Sequence, residues 1–137
     1  MKIFVFGNED LEFDSIPLRI LPELKKRFPF FEFEVKDPNE ELEIPEELIV
    51  IDVVEGIKQP RIFSKLSDFT GHPNISLHDF DVYSNLKYLE KLKKLKKIKI
   101  IGLPPNIPEK EALESTTNFL SSFGKGSSTV PFKKKVT

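Results

Sequence analysis

The chain has 137 residues, 39% of them hydrophobic and 31% charged, with 13 Phe, no Trp and a formal net charge of −1. That length supports one domain with a real core, able to bury roughly 65–70% of its unfolded surface. The balanced charge excludes a global basic field for nucleic acid, and the absence of cysteine excludes thiol catalysis, a cysteine-ligated zinc site and a disulfide framework.

Residues 2–6, KIFVF, form a continuous apolar run ended by Gly7-Asn8, which predicts a strand buried on both faces. The run is too short for a signal peptide, and no apolar run is long enough to span a membrane. SIPLRILPELKKRF (15–28) has apolar residues at 16, 20, 21, 24 and 28, a helical stripe. Asp14 or Ser15 can cap that helix, Pro17 suits its first turn, and Lys25, Lys26 and Arg27 suit its carboxyl end. Pro22 lies deeper, where proline kinks a helix. FFEFEVKD (30–37) alternates apolar and charged residues as an edge strand does, and the acidic connection DPNEELEIPEE follows.

LIVIDVVEG (48–56) is the strongest strand pattern in the chain, interrupted by Asp52. RIFSKL (61–66) predicts a short edge strand, and DFTGHPNI (68–75) a loop rich in turn residues. Residues 81–97 predict a helix with an apolar stripe at Val82, Leu86, Leu89, Leu92 and Leu95 and lysines opposite. IKIIGLPP (98–105) predicts another buried strand, and residues 108–123 a last helix opened by Pro108. The fold class is therefore α/β: a single three-layer domain over 1–123, with a mostly parallel sheet of about five strands and helices on both faces. Residues 124–137 are Gly/Ser/Lys-rich and read as a tail.

In open α/β sheets, sites form beyond the carboxyl ends of the strands. A carboxylate inside LIVIDVV must be paired, hydrogen-bonded or bound to a ligand. For Asp52, a structural cap and a functional role weigh equally. Asp14, ahead of a helix, reads first as an N-cap. The loop GNEDLEFD (7–14) is acidic and lacks a phosphate-binding glycine pattern, so it suits a cation. The two histidines are His72, in the turn TGHPNI, and His78, in SLHDFDV. Two carboxylates and one imidazole converging from three loops would suit a divalent transition metal. The lysine run 91–99 has no aromatic interleaving and reads as a solvated helix face. No nucleophile-elbow or zincin motif is present.

Taken in order, FVFGNEDLEFDSIPLRI, LIVIDVVEG, SLHDFDVYSNLKYL and IIGLPPNI resemble the maturation endopeptidases of nickel–iron hydrogenases, over about residues 3–107. The resemblance implies that Asp14, Asp52 and His78 bind nickel carried by the substrate, with Asp14 and Asp52 also serving catalysis. It implies removal of a C-terminal extension from a hydrogenase large-subunit precursor, with no permanently bound cofactor. A cytoplasmic monomer without nucleic-acid or membrane partners is expected. His72 matches no family position. The alternative is a non-catalytic binding module or degenerate relative that recognises a metallated hydrogenase-like subunit. The chain departs from the family at FDSIP: Phe13 replaces the first of two acids, and Ser15 and Pro17 replace two glycines.

Overall fold

The computed structural model of the chain describes residues 2–7, 10, 15–36, 45–69, 76–77, 80–94 and 97–124. Four parallel strands form the body of the sheet: β1 (Lys2–Phe6), β2 (Glu32–Lys36), β3 (Glu47–Glu55) and β6 (Lys97–Leu103). The edge strand β4 (Arg61–Phe63) pairs antiparallel with β6, giving the order β2-β1-β3-β6-β4. A two-residue strand, β5 (Ser76–Leu77), pairs antiparallel with the end of β3.

The alternation of a strand sorts the core into two halves. Ile3, Val5, Ile49, Ile51, Ile101 and Leu103 face helices α1 (Ile16–Arg27) and α3 (Glu109–Gly124). Phe4, Val50, Val54 and Ile100 face the other way, where α2 (Phe80–Lys91) contributes Leu86 and a 3₁₀ turn at Leu66–Phe69 contributes its two ends. The sheet is thus covered on both faces, which is why β1 and β3 read as continuous apolar runs rather than alternating ones. Each large side chain withdrawn fully from water contributes about 1.5–3 kcal/mol.

Two expectations need correction. The stripe read over 81–97 ends early: α2 stops at Lys91, Lys93 sits in the left-handed region at φ 61°, and Leu92 is 47% exposed. Residue 97 already pairs with Glu47 in the sheet, so ladder hydrogen bonds claim the segment that helical periodicity suggested. The first two residues of the loop read over 68–75 belong instead to a 3₁₀ turn, Leu66–Phe69, that buries Leu66 and Phe69; residues 70–75 lie outside the described residues. α1 runs through Pro22 without ending. The tail beyond residue 124 lies outside the described residues.

Candidate functional site at the carboxyl end of β3

Asp52 is the sixth residue of β3, well inside the strand rather than past its end. Its side chain belongs to the α2 face, in phase with Leu48, Val50 and Val54, and it is fully buried. Its Oδ1 accepts the backbone N–H of Val53 at 2.8 Å. A carboxyl group in that apolar layer needs hydrogen bonds or a partner to offset its desolvation.

The ladder around Asp52 fixes its place in the sheet. β1 leaves β3 after the pair Val5↔Ile51, one residue before Asp52. β6 stays alongside to Val53↔Leu103 and places Gly102 opposite Asp52. β5 joins only at Val54↔Leu77. Asp52 therefore lies where one neighbouring strand has ended and another has not begun. The strand order reverses at the same place: from β1 the chain moves outward to β2, then returns to the other side of β1 as β3. Such a switch point opens a crevice at the carboxyl ends of the strands.

Of the sequence-predicted ligands, Asp52 alone is among the described residues; Asp14 and His78 lie outside them, as do Asn8, His72 and Asp79. Their covalent neighbours are placed. Ser15, which follows Asp14, is the N-cap of α1, the helix that carries the chain from the carboxyl end of β1 back to the start of β2. Leu77, which precedes His78, pairs with Val54, two residues beyond Asp52. Among the described residues, no group of three or more His, Asp or Glu is assembled to hold a metal.

The first turn of α1 needs no glycine. Ser15 has φ −95° and ψ −4°, ordinary right-handed values that need no glycine. Its carbonyl accepts the N–H groups of Leu18 and Arg19, both at 3.0 Å. Its side chain makes no capping bond; Oγ instead accepts from Arg19 Nε at 3.0 Å. Arg19 also reaches Glu109 Oε1 at 3.5 Å, tying this turn to the start of α3. Pro17 occupies the position in the first turn where its missing N–H is harmless.

Sequence reasoning took Gly102 as the end of its strand, whereas β6 runs on to Leu103, and it gave no role to Tyr83. The signal for the first was present, since a lone glycine in an apolar strand marks a close approach. Tyr83, in the first turn of α2, packs against Phe69 with ring centroids 5.9 Å apart, and its hydroxyl is buried without a hydrogen-bond partner among the described residues.

No protein-family model matches the chain, and no curated protein matches it. Solved structures do share its fold. The hydrogenase maturating endopeptidase HybD from E. coli aligns with a TM-score of 0.60 over 90% of this chain and 94% of its own, at 20% identity. The endopeptidase HycI from Escherichia coli also gives 0.60, over 90% of both chains at 18% identity. A hydrogenase 3 maturation protease gives 0.57, over 86% of this chain and 87% of its own, at 16% identity. The fold expected from the sequence resemblance is the fold observed.

Proposed function

We propose that this chain is an endopeptidase that removes the C-terminal extension of a nickel–iron hydrogenase large-subunit precursor after sensing the inserted nickel. The observation that carries the reading is the buried carboxylate of Asp52 at the switch point of a fold shared with three maturation proteases. Nickel arrives with the substrate, held by the substrate's own thiolates. Asp14, Asp52 and His78 complete its coordination; carboxylate and imidazole are donors that such a borderline ion accepts. Docking through the metal fixes the scissile peptide bond in the crevice, so cleavage follows only when nickel is present. A water polarised by the metal or a carboxylate attacks the carbonyl, and the proton it gives up passes to the amine that leaves as the peptide C–N bond breaks.

The test uses a nickel-loaded large-subunit precursor and intact mass measurement. The wild-type chain is expected to shorten it at the C-terminus, and to leave the nickel-free precursor whole. Asp52→Asn preserves the shape of the side chain and an acceptor for Val53 N–H, so it should stay folded while processing falls about 100-fold or more, as loss of a metal-directed group does. Asp14→Asn and His78→Ala should behave alike. Normal processing by Asp52→Asn overturns the mechanism, and precursor binding without mass loss replaces the peptidase with a recognition module.

A further inference from the structure

We infer that Gly102 is a positioning residue, whose missing side chain sets the distance between Asp52 and the two elements that flank residue 78. The inference rests on the reading of Asp52 and His78 as nickel ligands.

Gly102 is the register partner of Asp52 on β6 and of Arg61 on β4. It belongs to the same sheet face as Asp52, and that face is filled over it from two sides. A Cβ built at Gly102 would stand 2.6 Å from Val54 Cγ2, 3.1 Å from Val54 Cβ and 3.0 Å from Phe63 Cε2. No real Cβ tolerates the first of these. Neither neighbour is a loose chain end that can swing aside. Val54 is fully buried and β-branched, so its rotamer is stiff. Phe63 is 1% exposed, with the Arg61 guanidinium 4.7 Å from its ring centroid.

Each of the two contacts leads to one flank of residue 78. Val54 pairs with Leu77, the last residue of β5 and the one before His78. Phe63 stacks on Phe69 at 4.7 Å, and Phe69 meets Tyr83 of α2 at 5.9 Å. α2 begins at Phe80, two residues after His78. A methyl group at position 102 would therefore push β5 through Val54 and α2 through the Phe63–Phe69–Tyr83 stack. Asp52, held in register beside residue 102, would stay. Close-packed interiors transmit such a displacement rather than absorb it. Glycine is thus required here for its volume, not for a positive φ.

The experiment titrates Ni²⁺ alone into the full-length chain by calorimetry and records thermal unfolding of each variant. Asp52→Asn and His78→Ala test the underlying reading: both are expected to weaken Ni²⁺ binding, and wild-type affinity in both overturns the ligand assignment and this inference with it. Gly102→Ala is expected to weaken binding about tenfold or more while unfolding remains cooperative, the usual cost of disturbing a ligand's support. Adding Val54→Ala removes the Cγ2 contact and should return the affinity toward wild type, while the lost buried methyl groups keep the double variant's stability below wild type. That split is one a merely structural glycine would not produce; affinity that instead follows the melting temperature across wild type, Gly102→Ala and the double variant overturns the inference. Wild-type affinity in Gly102→Ala, with binding lost in Asp52→Asn, overturns it alone. If Gly102→Ala does not fold, Val54→Ile adds a methyl group to the same packed layer beside β5, and an unchanged Kd for that variant overturns the inference equally.

Discussion

The edge strand β2 and the central strand β3 each place a carboxylate on the α2 face of the sheet, and they support it in opposite ways. On β2, Glu34 lies in register with Phe4 and is bracketed by Lys2 at 3.3 Å and Lys36 at 3.1 Å. Its charge is met by side-chain cations within reach of water, and Lys36 also sits 5.1 Å from the centroid of the Phe4 ring. On β3, Asp52 is fully buried between apolar neighbours, with a backbone N–H on Oδ1. Glu34 is explained by its surroundings. Asp52 instead lies at the switch point of the sheet, withdrawn from water. A charged residue in a strand becomes evidence for a site when the fold hides it.

The comparison breaks most easily on packing. Ile51, next to Asp52 and facing α1 and α3, is fully buried; Val35, next to Glu34, is 53% exposed. Ile51→Ala is expected to cost about 2–5 kcal/mol, through lost burial and a cavity. Val35→Ala should stay within about 0.5 kcal/mol of wild type. Denaturant unfolding of both variants measures the difference, and equal losses would mean that β2 is as integral to the core as β3.

A second buried polar side chain sharpens the inference drawn from Asp52. Thr116, on α3, is fully buried, and its hydroxyl has no hydrogen-bond partner among the described residues. It lies on the α1–α3 side of the sheet, the face opposite the one to which Asp52 belongs. An unsatisfied buried hydroxyl is a net penalty, so Thr116→Val, nearly the same shape, should stabilise the chain by about 1 kcal/mol. It should leave processing unchanged. A drop in processing would show that buried polarity on either face of this sheet serves the site, and would weaken Asp52's special standing.

Much of this was legible because it is local. KIFVF and LIVIDVV announce strands covered on both sides, and Asp52 announces itself as a charge where none is cheap. The stripe of SIPLRILPELKKRF gave α1 to within a residue at either end. The rest depends on register, which no short window contains. Gly102 matters because it falls opposite Asp52, and β5 exists only because Val54 is free to pair after β1 has left. Leu92 continued a helical stripe in sequence, yet the chain turns at Lys93 to enter β6. The fold was readable from patterning, and one arm of the candidate site with it; the support beneath that arm was a property of strands far apart in the chain.

The smallest expected effect concerns Glu34 itself. The hydrogen bond from Lys36, and after it the one from Lys2, holds this carboxyl below the ordinary glutamate value of 4.5, against an opposing push from burial. A depressed carboxyl stabilises the fold above the unfolded-state value and loses that contribution as pH falls through the folded one. Glu34→Gln should therefore cost less than about 1 kcal/mol at neutral pH and low salt, the range of partly exposed ion pairs. The gap between variant and wild type should narrow on acidification below 4.5 and shrink in molar salt, where screening reaches such pairs. Paired denaturant curves at neutral and acid pH read the gap directly. A gap that persisted in acid would mean that the side chain acts by packing rather than charge, and the contrast with Asp52 would then rest on burial alone.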